Sequence, residues 1–285
     1  MLAAAVVVAV GVGVWIAGQA GDRGQEVATD DPGLSHVHGL GIDPADGTLY
    51  AATHFGVLRV GERGEVRRIG GFQDTMGFTV VGPGHFLASG HPAPNDDTFD
   101  LEGRPPLLGL IESTDTGRHW RSRSLLGQAD FHALVAAHGR VYGYNASGGR
   151  FLVSADGENW DPRAEVALAS FAVDPADPDH LIGAGEQGLM VSTDGGRQWE
   201  PASGPTLVFL AWDAAAGLWG VGPDSTVAHS ADGGASWATR GQLPGQPEAL
   251  LATGDALYAA VAGQGVFRSD DEGRTWDQLA PSGRP

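Results

Sequence analysis

From about residue 35 onward, short apolar runs alternate with clusters of turn residues. The segments GLGIDPADGTLYAATHFGVLRV (Gly39 to Val60), SFAVDPADPDHLIGAGEQGLMVS (Ser170 to Ser192) and ALLATGDALYAAVAGQGVFRS (Ala249 to Ser269) follow one order. Each holds an apolar strand, a turn of Asp, Pro or Gly, a second apolar strand, a glycine turn and a third strand. A fourth, more polar strand follows, as in RSRSLL after Trp120 or DQL after Trp276. No run carries the 3.6-residue period of an amphipathic helix. Four short strands in each unit of about forty residues predict the blade of a β-propeller.

The third strand of most units runs into a serine-aspartate-glycine-tryptophan box. The copies are STDTGRHW (Ser113 to Trp120), SADGENW (Ser154 to Trp160), STDGGRQW (Ser192 to Trp199), SADGGASW (Ser230 to Trp237) and SDDEGRTW (Ser269 to Trp276), at intervals of 38 to 41 residues. Short polar side chains bond to nearby amides, glycine takes backbone angles closed to other residues, and the indole supplies a large apolar body. Asp115, Asp156, Asp194, Asp232 and Asp271 are therefore read as residues of the fold, neither catalytic acids nor metal ligands. In the first unit the box has decayed to VGERGEV (Val60 to Val66).

These boxes resemble the Asp-box, or BNR, repeats of sialidases and related propellers, and the resemblance spans about 35 to 280. It implies a box at the turn between third and fourth strands, with its Trp between blades. The HVHGLGIDP, THFG, MGF and SGHP segments resemble a bacterial exported family labelled glycosyl hydrolase; more distantly, the repeats are similar to photosystem assembly-factor propellers. Sialidase chemistry itself would need an arginine triad, and Arg59, Arg104, Arg150 and Arg268 do not form a recognisable one.

The fold expected is all-β, a six-bladed β-propeller over 35–285 whose blades start near 35, 72, 128, 167, 205 and 245. Every blade reads from innermost to outermost strand, so ring closure has no visible exchanged strand unless Gln25 to Thr29 joins the last sheet. Met1 to Ala17 are almost wholly apolar, which predicts a signal peptide or membrane anchor over 1–20, a linker over 21–34, and an extracytoplasmic body, secreted or anchored. The absence of cysteine removes disulfides and thiolate sites. A net charge of -18 excludes nucleic acid and leaves a cation, a glycan, a small molecule or an envelope protein as partner.

Aligning the units exposes a second pattern. His38, Met76, His132 and Glu248 occupy one equivalent position at the start of the first strand, where blades four and five carry Ala169 and Val208. Two residues earlier stand His36, Asp74 and Asp130, and residues two apart on a strand point the same way. His54 and His91 both end a second strand, on the same rim. His36, His38, His54, His91 and His132 are thus expected at one mouth of the channel, while His85, His119, His138, His180 and His229 are not. The one large insertion, HPAPNDDTFDLEGRPP, opens at His91 and is expected to cover that mouth.

Three functions fit. The mouth binds a transition metal, copper or zinc, through the five imidazoles with Met76 as a soft ligand; calcium on Asn95, Asp96, Asp97 and Asp100 of the 92–106 insertion is less favoured. Alternatively it is a glycoside hydrolase site using two of Asp74, Asp130 and Glu248, since glycoside cleavage needs paired carboxyl groups. The third reading is an envelope assembly or scaffold protein. No G-x-S-x-G elbow, H-E-x-x-H helix or phosphate loop is present.

Overall fold

A computed structural model describes residues 33–94, 97–254 and 256–283. The apolar segment expected as leader or anchor, and Gln25 to Thr29, lie outside the described residues. Among the described residues no helix is long and apolar enough to cross a membrane.

Among the described residues, alternating apolar runs become 24 strands in six four-stranded antiparallel sheets, each ordered as its strands follow in sequence. The first strands of the blades (Val37–Ile42, Asp74–Gly82, Phe131–Ala137, Ser170–Val173, Phe209–Asp213 and Pro247–Thr253) stand side by side around a central channel. The molecule is a six-bladed β-propeller. Its core is divided among the blade interfaces. Tyr50, Phe78, Phe86, Ile111 and Trp120 pack between the first two blades, and Leu34, Val37, Leu58, Tyr258 and Val266 between the last and the first.

The boxes form the turns between third and fourth strands. In STDGGRQW the Ser192 hydroxyl donates to Asp194 (2.9 Å) and accepts from the Gly196 amide (2.8 Å), while the same carboxylate oxygen accepts from the Arg197 and Gln198 amides (both 2.9 Å). Trp199 closes the turn by donating from Nε1 to the Gly196 carbonyl (3.2 Å). Gly196 has a φ of 89°, and a Cβ there would run into the Phe151 ring of the preceding blade. The box therefore ties its own turn and docks it on the neighbour.

Among the described residues each terminal blade has four strands of its own, so the ring closes without strand exchange. Apolar packing across the seam does most of this. Polar contacts also cross it: the Val37 amide donates to Glu248 Oε2 at 3.1 Å, and His36 Nδ1 lies 3.3 Å from Glu248 Oε1.

Candidate functional site

The mouth is shaped by a repeated irregularity. The ladder between first and second strands skips one residue at His38, at Met76, at His132 and at Glu248, in the first, second, third and sixth blades. Each is a β-bulge, which leaves its extra residue unpaired and re-aims its side chain. In blades four and five the paired ladders begin one residue later, at Ser170 and Phe209, and the Ala169 and Val208 amides donate to the carbonyls of Ala184 and Val221, the residues already opposite those two. His38, Met76, His132 and Glu248 thus each sit on a bulge.

One expectation about local geometry is corrected. His36 does not share a face with His38 by strand alternation, because the strand begins at Val37 and His36 has a φ of 50°, in the left-handed region. The left-handed turn and the bulge together bring both rings to the same place. His36 stacks on His54 (centroids 4.8 Å apart, 8° between planes), and His38 meets both edge-on.

His36, His38 and His54 present ring nitrogens that all lie within 4.8 Å of one another. Asp74, from the second blade, joins them: His54 Nδ1 is 2.8 Å and His38 Nε2 3.7 Å from Asp74 Oδ1, and the two nitrogens are 3.3 Å apart. Two donors about 2.1 Å from one tetrahedral ion are roughly 3.4 Å apart, so these atoms have the spacing of a common coordination shell. Burial, followed by the His54 and His36 rings, pushes His38 down to about 3. Its imidazole is thus neutral near pH 7, the form that binds metals. Glu248 lies at the outer edge, with Oε1 3.3 Å from His36 Nδ1.

The same arrangement recurs one blade further on. His91, ending the second strand of blade two as His54 follows that of blade one, faces Asp130 of blade three, the equivalent of Asp74. His91 Nε2 is 3.5 Å and His132 Nε2 2.8 Å from Asp130 Oδ2, and His91 Nδ1 donates to the Pro106 carbonyl at 3.0 Å. Asp130 is 6% exposed, and its Oδ1 is buried without a hydrogen-bond partner. Burial opposes its charge, but the bonds from His132 and His91 outweigh this and hold the carboxyl well below the usual range. The Asp130 bond raises His91 to about 9 against the cost of burial.

The five histidines thus gather in two groups, one at blades one and two, the other at blades two and three. Met76 takes the intervening bulge and is half-buried. Below them the channel is a cavity of ≈ 400 Å³ lined by His38, Phe78, His132, Ser170, Phe209 and Leu250, among others. The remaining histidines are engaged elsewhere: His85 with Glu112, His119 with Asp115, His138 and His180 with Asp174, and His229 with Arg240.

Asp74, Asp130 and Glu248, set apart by sequence as possible hydrolytic acids, are in each case paired with histidine. The Pro106 carbonyl escaped sequence reading altogether, since a backbone oxygen carries no residue-type signal. It belongs to the returning arm of the insertion, which is anchored by buried Phe99 in the core between blades one and two. Of the residues considered for calcium, Asn95 and Asp96 lie outside the described residues, and Asp100 accepts locally from the Glu102 amide.

Fold and repeats define a six-bladed propeller of the BNR, Asp-box type. Residues 155–281 match the family described as photosynthesis system II assembly factor YCF48. Among solved structures, YCF48 bound to D1 peptide is similar with a TM-score of 0.55 and 14% identity, covering 87% of this chain and 82% of that one. YCF48 from Cyanidioschyzon merolae gives 0.52 and 17%, covering 88% of each. The GH74 xyloglucanase from Xanthomonas campestris gives 0.56 and 16%, over 86% of this chain but only 45% of the enzyme. At these identities the likeness is one of fold. No curated protein matches the sequence.

Proposed function

We propose that the propeller binds a divalent transition-metal ion at its channel mouth through His38, His54 and Asp74, with His36 as a further donor, and through that ion a small ligand. The observation that carries this is the mutual spacing of three donor atoms from two blades, 2.8, 3.3 and 3.7 Å. Two imidazoles and a carboxylate suit zinc, iron(II) or copper(II), while calcium prefers an all-oxygen shell. Met76, on the bulge of blade two, would offer a thioether to copper, but the nitrogen and oxygen set favours zinc. The apolar Met1 to Ala17 is consistent with delivery of this body across a membrane.

Untagged protein stripped with a chelator is titrated with zinc by calorimetry. Asp74→Asn and His54→Ala are each expected to weaken binding at least tenfold with the fold retained. Zinc, copper and iron all failing to bind the wild type would reject the proposal.

A second reading, a protein-assembly role, is favoured by the match of 155–281 to the YCF48 family and by the neighbour solved with a D1 peptide. It predicts a membrane-protein partner whose crosslinking to the propeller survives His54→Ala. The glycosidase reading has less support. A general acid needs a raised pKa, and Asp130 is displaced the opposite way.

A further inference from the structure

The duplication at the rim has a chemical consequence. His54 facing Asp74 across the first blade boundary, with His38 alongside, is matched by His91 facing Asp130 across the second, with His132 alongside. Each group offers two imidazoles and one carboxylate, and in each a histidine at or just past the end of a second strand meets an aspartate at or just before the start of the next blade's first strand.

We propose that the mouth is a two-ion centre, in which His91, Asp130 and His132 hold a second divalent transition-metal ion beside the one at His38, His54 and Asp74. This rests on the metal reading of the mouth given above. Two observations beyond the repeat support it. Asp130 Oδ1 is buried with no hydrogen-bond partner, although an unpaired buried carboxylate oxygen is costly. His91 is oriented by Nδ1 donating to the Pro106 carbonyl, which leaves Nε2 aimed at the Asp130 carboxylate. In metal sites a ligating histidine commonly donates its other ring N–H to a backbone carbonyl, which fixes its tautomer and the orientation of its ring.

In the metal-free protein both His91 nitrogens face oxygens that can only accept, so both carry protons. Binding is written as replacement: the ion takes the Nε2 lone pair of each imidazole, the second proton of His91 leaves Nε2 to solvent, and His132 binds as its neutral tautomer with the proton on Nδ1. Both groups border one channel cavity, which His38 and His132 line together.

The test is the zinc stoichiometry of untagged full-length protein by native mass spectrometry, at submicromolar free zinc fixed by a chelator buffer. Two ions per chain are expected in the wild type. The pair His91→Gln with His132→Gln should retain one, as should His54→Gln with Asp74→Asn, and all four substitutions together none. The single variant His91→Gln, at a side chain 38% exposed, guards against loss through misfolding and should also lower the count to one. A wild type that holds one ion, or a His91→Gln with His132→Gln variant that still holds two, overturns the second ion and leaves the first site standing. A wild type that holds none overturns both.

Discussion

His38 and His91 titrate in opposite directions, and the metal-free protein should record both. His91 is raised to about 9 from 6.5, so the folded chain keeps a proton that the unfolded chain gives up. Its contribution is complete below pH 6.5 and is lost as pH rises through 9. His38 is lowered to about 3, so below pH 6.5 the unfolded chain takes a proton that the folded one refuses. Stability therefore falls again as pH drops from 6.5 toward 3, and Asp130, its carboxyl held low, adds to that loss as it is finally protonated. The expected profile of melting temperature is a maximum near pH 6.5, and His91→Gln should flatten the alkaline limb. A wild-type profile level between pH 6.5 and 9 would refute the paired His91–Asp130 arrangement.

Turns and bulges divide the work at the scale of elements. Box turns are tied locally: the side-chain bonds of Ser192 and Asp194 fall within the motif. Ser192 is 2% exposed, so Ser192→Ala strands the Gly196 amide and should cost about 1–3 kcal/mol in denaturant unfolding. Zinc affinity should not change, because the box is at the outer side of its blade. The bulges carry chemistry instead, and their positions were only half legible. Equivalent placement of His38, Met76, His132 and Glu248 could be read by aligning units, but the skipped pairing that turns them toward the mouth could not. The left-handed His36 escaped for the same reason, since nothing in S-H-V-H announces a positive φ.

For the whole molecule, the rim and the ring seam share a residue. Glu248 of the last blade accepts from the Val37 amide through one oxygen and faces His36 through the other. Glu248→Ala removes the acceptor and should lower global stability by about 1–3 kcal/mol. Glu248→Gln keeps an acceptor and should restore most of it; equal loss in both variants would mean that closure needs the charge. Because the seam lies beside the proposed first ion, added zinc should stabilise the wild type more than the His54→Ala variant in the same melts.

The chain by itself determined the number of blades, the order of strands and the role of the boxes. Those features rest on apolar alternation and on hydrogen bonds between residues two to four apart, which recur with every repeat. Only the tertiary structure decided that His54 meets Asp74, that His91 meets Asp130, and that five imidazoles form two groups. Such pairs are joined through the circular closure of rigid blades and through single-residue slips in the ladder, and residue type records neither.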